Sequence, residues 1–174
     1  GGVAPLHLYS KSNVDGFLPV TLSEYAKTIF FAHRTDRERM PVEEDSELRA
    51  ILELQSVVVI GCSTTPEKDA HQVPKYLIEQ GYDVIPVNPF AETIFGREAY
   101  DSLSSVPHDV DIVDVFRPSE ELAEIVTEAI KRSDVDTIWA QLGVRDDEAS
   151  RRAEAAGKRV VQDKCMKKEH QRLL

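Results

Sequence analysis

The stretch that most constrains the fold of this chain is residues 56–68, S-V-V-V-I-G-C-S-T-T-P-E-K. Four consecutive apolar residues, 57–60, end at Gly61, and a short polar run then leads into residues 70–80. A β-branched run that ends at glycine is typical of a buried strand in a parallel sheet. Glycine also lets the chain turn sharply off the strand, because it has no Cβ. The segment therefore predicts a strand, a polar turn and a helix.

The polar turn carries groups that bind anions. Ser63, Thr64 and Thr65 offer hydroxyls and backbone N–H groups where the next helix begins, and a helix N-terminus carries partial positive charge. Lys68 adds a full positive charge. From these residues alone, two interpretations stay open: an anion site, or an ordinary turn between a strand and a helix.

Composition narrows the class of protein. The 174 residues suit one α/β domain with a full core. The net charge of −10 argues against nucleic acid as a main partner, because phosphate binding needs clustered Lys and Arg. Cys62 and Cys165 match neither a disulfide framework nor a metal-binding spacing. This cysteine spacing also gives no reason to expect a bound metal. No run approaches the roughly 20 apolar residues of a membrane span, so we expect a soluble cytoplasmic protein without a membrane partner.

The chain divides into an N-terminal segment and one domain. Residues 1–39 show no clear pattern, whereas Met40 precedes an acidic sequence that suits a helix start. We therefore predict an extension over 1–39 and a single domain over 40–174. The extension is either without function or an arm that packs on the domain.

Strands and helices are predicted to alternate through the domain. The expected strands are 57–62, 82–87, 110–116, 137–140 and 159–161, and the expected helices are 46–54, 70–80, 119–131 and 146–156. Pro74 moves the expected start of the second helix to residues 71–73. The charged tail, 163–174, is expected to form one helical turn at most. This alternation predicts an α/β fold in which helices cover both faces of a parallel sheet.

In such sheets, ligands bind beyond the carboxyl ends of the strands. Four polar or proline-containing loops lie there, and we expect them to converge on one crevice: 61–68, 88–90, 117–119 and 141–144. The dinucleotide fingerprint Gly-x-Gly-x-x-Gly is not met, because this turn holds only Gly61. Asn88 also stands where an NAD enzyme would have an acidic residue.

Six short motifs occur in order: G-C-S-T-T-P-E-K-D, G-Y-D-V-I-P-V-N-P, I-F-G, D-V-F-R-P, A-Q-L-G-V and V-V-Q-D-K-C. Together they resemble the small CoA-binding proteins, which are stand-alone relatives of the CoA-binding Rossmann-like domain of the succinyl-CoA synthetase alpha subunit. The resemblance covers residues 42–170. It implies a Rossmann-like fold that binds coenzyme A without a demonstrated reaction.

The residues agree with this ligand, because the phosphates of CoA need N–H groups and cations. Ser63, Thr64 and Lys68 would supply these, and Arg117 would bind a phosphate or a carbonyl. Asn88 and the flanking Val87 would hold the adenine end, and Gln141 with Gly143 would line the crevice where the pantetheine arm leaves. The predicted site is Gly61, Cys62, Ser63, Thr64, Lys68, Val87, Asn88, Pro89, Arg117, Pro118, Gln141 and Gly143.

Three of these residues have a simpler interpretation. Arg117 could form a surface salt bridge with Glu120 or Glu121, and Lys68 could be a solvated lysine. Cys62 is either an acidic thiol near a helix N-terminus, able to form a mixed disulfide with CoA, or a small buried hydrophobic residue.

The leading hypothesis is a protein that binds CoA or an acyl-CoA and is not an enzyme. The five histidines match no catalytic motif, and the sequence shows no Ser-His-Asp order, paired-carboxylate signature or metal cluster. Two alternatives stay open. One is an NAD(P)-binding oxidoreductase, and the other is an interaction subunit that lends a CoA domain to a protein partner. A homo-oligomer is also compatible with the sequence.

Overall fold

The structure, a computed structural model, describes residues 41–174, so the predicted extension over 1–39 lies outside the described residues. Strands and helices alternate through the described part, with a short 3₁₀ helix at Leu103–Ser105. The helices are α1 (Asp45–Leu52), α2 (Asp69–Glu79), α3 (Ser119–Ile130), α4 (Asp147–Ala155) and α5 (Met166–Leu173). The strands are β1 (Ser56–Ile60), β2 (Asp83–Val87), β3 (Thr93–Ile94), β4 (Arg97–Glu98), β5 (Ile112–Val115), β6 (Thr137–Ala140) and β7 (Arg159–Val161).

Five of the strands form one parallel sheet in the order β2-β1-β5-β6-β7. Val58 of β1 lies opposite Ile85 on one side and Val113 on the other. The strands β3 and β4, too short to be placed from the sequence, pair with each other in a separate antiparallel hairpin. The predicted α/β fold, a Rossmann-like parallel sheet in a single domain, is confirmed.

Helices cover both faces of the sheet, as predicted. Side chains alternate between the two faces along each strand, so Val58 and Ile60 join one core, and Val57 and Val59 join the other. The first core includes residues of α3 and α4, and the second includes residues of α1, α2 and α5. Each fully buried aliphatic side chain contributes about 1.5–3 kcal/mol, so both cores stabilise the same sheet.

Helix α2 begins earlier than predicted, because it accommodates Pro74 in its interior. A proline has no N–H group, so the carbonyl oxygen of Ala70 lacks its usual helical donor. The N–H of Ser63 donates to that oxygen at 3.0 Å. The expected start at 71–73 is wrong, because the preceding turn satisfies the carbonyl that the proline cannot.

The charged tail forms a complete helix, α5, rather than one turn. Its two apolar ends, Met166 and Leu173, are buried seven residues apart on one face. Arg172 donates to both carboxylate oxygens of Asp45, at 2.9 and 2.6 Å, and so joins α5 to α1. The charged composition of the tail hid this apolar spacing. No helix within residues 41–174 is long and apolar enough to cross a membrane.

Candidate functional site

The strand order places an opening between β1 and β5. The chain leaves β1 toward β2 on one side and leaves β5 toward β6 on the other, so the turns after β1 and β5 diverge. A cavity of about 500 Å³ lies there, which is in the range of small-molecule sites. Eight of the predicted site residues line it: Gly61, Cys62, Ser63, Lys68, Val87, Asn88, Pro89 and Arg117.

Gly61 and Arg117 lie directly against each other at this opening. Gly61 has a φ of +82°, in the left-handed region that favours glycine. A Cβ at this position would lie 2.8 Å from Cδ of Arg117 and 3.2 Å from the carbonyl oxygen of Phe116. The absence of a side chain at Gly61 therefore lets the Arg117 side chain cross the end of β1.

Hydrogen bonds hold the turn after Gly61. Besides its amide, which donates to Ala70, Ser63 uses its Oγ to accept from the Thr65 N–H at 3.0 Å. His71 donates from Nδ1 to the Ser63 carbonyl oxygen at 2.7 Å, since a carbonyl can only accept. The Ser63 amide, which the sequence offered for anion binding, donates to the Ala70 carbonyl oxygen in the structure. The Ser63 hydroxyl proton is still available as a donor.

The other residues of the turn are exposed. Lys68 is the residue before α2, and none of the salt bridges within the described residues includes it. Thr64 is exposed and lies outside the cavity. Among residues 41–174, the Lys68 ammonium at the N-terminus of α2 therefore lines the cavity without a salt-bridge partner.

Arg117 forms the salt bridge that was its simpler interpretation, and it also lines the cavity. Its Nε and Nη2 donate to the two carboxylate oxygens of Glu121 at 2.8 and 2.6 Å. These bonds raise the pKa of Arg117 and lower the pKa of Glu121. A guanidinium carries five N–H bonds, so three are left for a ligand. Pro118, the next residue, is exposed before α3 and does not line the cavity.

The lining of the cavity carries charges of both signs. Lys68 supplies one cation at the N-terminus of α2, whereas Arg117 lies beside the acidic wall through its bonds to Glu121. Four carboxylates of α3 and of the segment before the 3₁₀ helix form that wall: Asp101, Glu121, Glu124 and Glu128. One oxygen of Glu128 already accepts from the Ser104 N–H at 3.2 Å. An anionic ligand group is therefore favoured near Lys68 and disfavoured near the acidic wall.

Asn88 ties the end of β2 to the end of β1. Its Nδ2 donates to the Cys62 carbonyl oxygen at 3.0 Å, and its Oδ1 accepts from the Phe90 N–H at 2.8 Å. Its own N–H donates to the Tyr100 carbonyl oxygen at 2.9 Å. The side-chain amide is thus engaged at both ends, and it fixes the floor of the cavity beside Val87 and Pro89.

Gln141 and Gly143 lie outside this cavity, although the sequence placed them in the same crevice. Gln141 is buried and donates from Nε2 to Oδ1 of Asp114 at 2.6 Å. The Gly143 N–H donates to Oδ1 of Asp163 at 2.7 Å. Their strand, β6, is separated from β1 by β5, so their loop does not reach the opening.

Asp114 is a fully buried carboxyl that the sequence analysis did not single out. Burial raises its pKa to about 7, against the opposing effects of its hydrogen bonds from Gln141 and from the Val115 amide. Its second oxygen accepts no hydrogen bond from the described residues. The signal in the sequence was one acidic residue inside the apolar run of a predicted strand.

Cys62 is not the acidic thiol that one interpretation of the sequence required. It is fully buried, and burial, together with the negative charge of Asp114, raises its pKa to about 12. The thiolate is the reactive form, so the mixed disulfide with CoA is not supported. Cys62 is instead a small buried hydrophobic residue. Cys165 is a free, partly buried cysteine.

Comparison with known proteins identifies the family. The sequence profile described as a CoA binding domain matches residues 55–171, and this chain belongs to that family. An uncharacterized protein of Bacillus subtilis, YneT, is 35% identical over 126 residues, which are 72% of this chain and 93% of that protein. A hypothetical protein from Pyrococcus horikoshii has a solved structure with 39% identity and a TM-score of 0.73, covering 76% of this chain and 95% of that one.

A third relative is a much longer protein. An ADP-forming acetate–CoA ligase of Methanocaldococcus jannaschii is 31% identical over 88 residues, which are 51% of this chain and only 12% of the ligase. Relatives of this domain therefore occur both as small proteins and within a large ligase. Residues 41–174 hold no group of three or more His, Cys, Asp or Glu side chains that suits a metal ion.

Proposed function

We propose that this protein binds coenzyme A, free or acylated, in the cavity between the β1–α2 turn and Arg117, without a reaction of its own. The observation that carries the proposal is the close contact between Gly61 and Arg117 at the strand switch point, beside Lys68, which forms no salt bridge with another described residue. This arrangement brings two cations and a hydroxyl donor to one cavity in a chain of the CoA binding domain family.

The phosphates of CoA suit the basic side of the cavity. Lys68 offers an ammonium with three donors, Arg117 offers the three N–H groups not used by Glu121, and Ser63 offers a hydroxyl. Charge-assisted hydrogen bonds of this kind contribute about 1.5–3 kcal/mol each. Because the acidic wall disfavours phosphates, we expect the uncharged pantetheine arm to run along it.

The absence of catalysis is proposed from the groups at the cavity. The one thiol there, Cys62, is buried and has a raised pKa, so it is not an activated nucleophile. Arg117 is held in an ion pair that keeps it charged. Neither group suits proton transfer near neutral pH.

The geometry at Asn88 favours CoA over NAD(P), the first alternative. A Rossmann dehydrogenase uses a carboxylate near this position to accept from the ribose hydroxyls. The side-chain amide of Asn88 already bonds the Cys62 carbonyl oxygen and the Phe90 N–H. It is therefore not free to replace that carboxylate.

Calorimetric titration of the full chain with CoA, acetyl-CoA, NAD and NADP tests the proposal, with melting shifts measured in parallel. We expect saturable heat and a higher melting temperature with CoA or acetyl-CoA, because a ligand that binds the folded state stabilises it. The absence of both signals with CoA at millimolar concentration would contradict the proposal. Preferential binding of NAD or NADP would support the oxidoreductase instead.

The interaction-subunit hypothesis is compatible with CoA binding, because it concerns whether the protein also associates with a protein partner. It is favoured by the occurrence of a related segment within the larger ligase of Methanocaldococcus jannaschii. Pull-down from the native source, followed by mass spectrometry, tests it, and sizing of the purified protein tests self-association. A monomer that captures no protein would speak against both a partner and a homo-oligomer.

A further inference from the structure

Phe90 is the most exposed large apolar side chain in the described part of the protein. Its relative exposure is 96%, against 54% for Leu142 and 56% for the last residue, Leu174. The other phenylalanines of residues 41–174, Phe95 and Phe116, are partly buried against the core. A phenylalanine in water leaves a large apolar area unburied, so its position on the molecule matters.

The backbone holds Phe90 at the edge of the cavity. Its N–H donates to Oδ1 of Asn88 at 2.8 Å, while Nδ2 of Asn88 donates to the Cys62 carbonyl oxygen at 3.0 Å. The turn is thereby fastened to the end of β1. This turn keeps the aromatic ring outside both cores, although the ring would gain from burial there.

Phe90 lines two cavities. The first is the cavity of the proposed CoA site, with Lys68 and Arg117 in its lining. The second has a volume of about 470 Å³, and Pro89 and Asp101 line both. A planar group bound at either cavity therefore has an accessible aromatic face at the same edge that carries the cations.

We propose that Phe90 is the stacking platform for the adenine base of CoA, an inference that rests on the proposed function. In CoA the base and the 3′-phosphate are joined to one ribose, so a base at Phe90 lets the phosphates face Lys68 in the same cavity. Stacking of a base on an aromatic ring needs no hydrogen-bond code and is worth roughly 5- to 100-fold in affinity.

The acidic wall supports this placement. The exocyclic amine of adenine donates hydrogen bonds, and Asp101, which lines both cavities beside Phe90, offers a carboxylate that accepts them. A phosphate at the same position would face that negative charge. The base is therefore the part of CoA best suited to the Phe90 side.

Calorimetric titration of three proteins with two ligands tests the inference. The proteins are the wild type, Phe90→Ala and Leu142→Ala, and the ligands are CoA and 4′-phosphopantetheine, which lacks the adenosine together with its 3′- and 5′-phosphates. We expect Phe90→Ala to weaken CoA binding roughly 5- to 100-fold and to leave phosphopantetheine binding within about twofold of wild type. Leu142→Ala removes another exposed apolar side chain, outside the cavity, and should change neither.

A second variant reports stacking directly. The chain has a single tryptophan, Trp139, which is buried and donates its indole N–H to the Lys164 carbonyl oxygen. Phe90→Trp adds an exposed fluorophore, which we expect CoA to quench and phosphopantetheine to leave unchanged. The wild type supplies the Trp139 background.

The outcomes separate this inference from the proposed function. If the wild type does not bind CoA, the proposed function fails and the inference fails with it. If the wild type binds CoA and Phe90→Ala binds it equally well, the inference alone is overturned. Equal losses for CoA and phosphopantetheine would also overturn it, because Phe90 would then act on the arm or on the fold rather than on the base.

Discussion

The turns after β1 and after β6 have similar backbones, but their surroundings differ. Both follow a parallel strand at the carboxyl edge of the sheet, and both contain a left-handed glycine, with φ of +82° at Gly61 and +79° at Gly143. A Cβ at Gly61 would meet Arg117 at 2.8 Å, whereas a Cβ at Gly143 would meet nothing within 4 Å. The first glycine is needed for a contact, and the second only for the path of the backbone.

The polar groups of the two turns differ in the same way. After β6, Gln141 bonds Asp114, the Gly143 N–H bonds Asp163, and Ser119 bonds both the Gly143 carbonyl oxygen and the Arg145 N–H. After β1, Lys68 is unpaired among the described residues, and the turn lines a cavity. Strand order explains the difference, because the turn after β1 adjoins the switch point between β1 and β5, whereas the turn after β6 does not.

The largest expected effect is on the free energy of unfolding and concerns Asp114, the buried carboxylate that accepts from Gln141 in the turn after β6. A carboxyl with a higher pKa in the folded than in the unfolded protein binds an extra proton when folded, so stability falls as pH rises between the two values. For Asp114 this window runs from 3.8 to about 7. Asp114→Asn keeps the acceptor for Gln141 and removes the charge, so we expect it to match wild type near pH 4 and to exceed it by up to roughly 4 kcal/mol at pH 8.

Urea unfolding across this pH range measures the effect. Asp109→Asn is the matched control, because Asp109 is an exposed carboxyl in the loop before the same strand. Parallel pH profiles for wild type and Asp114→Asn would show that Asp114 does not titrate as its burial indicates.

At the cavity beside the turn after β1, Lys68→Ala and Arg117→Ala should each weaken CoA binding by roughly 10- to 100-fold, since each removes a charge-assisted hydrogen bond. Calorimetry measures the affinity, and thermal unfolding checks that the fold is intact. Arg145→Ala is a suitable control, because Arg145 is an exposed arginine paired with Asp147 and does not line the cavity. Wild-type affinity in both site variants would mean that CoA binds elsewhere.

The two glycines offer a direct test of the contrast. Gly61→Ala and Gly143→Ala should each cost about 1–2 kcal/mol from the left-handed backbone. Only Gly61→Ala should also displace Arg117 and reduce CoA affinity. Denaturant unfolding and CoA titration of both variants measure the two effects. Equal CoA affinities would contradict the inference that only Gly61 is needed for the position of Arg117.

The smallest effect is expected at Asp163. Asp163→Ala removes the acceptor of the Gly143 N–H, which should cost about 1 kcal/mol of stability. CoA affinity should stay within about twofold of wild type, because the β6 turn lies outside the cavity. A loss of CoA affinity comparable to that of Lys68→Ala would instead show that the β6 turn contributes to the binding site.

Much of the fold was predictable because its signals are local. Apolar runs such as 57–60, ended by glycine, gave the strands and hence the parallel sheet. The turn after β1 was found because glycine, hydroxyls and lysine follow that strand directly. The strand order and the side-chain bonds of Gln141 were not accessible, since they depend on which strands become neighbours. The exposure of Phe90 and the burial of Asp114 are likewise properties of tertiary packing.

The proline inside α2 has a consequence for the loop in front of it. Because Pro74 cannot donate to the Ala70 carbonyl oxygen, that oxygen is free to accept from Ser63 and draws the loop onto the helix. The loop is thereby preorganised, so less conformational entropy is lost when a ligand binds. Pro74, a residue type that weakens an isolated helix, here helps to set the conformation of the neighbouring loop. We therefore expect the Ser63 amide hydrogen to exchange slowly with solvent, although Ser63 lies in a surface turn.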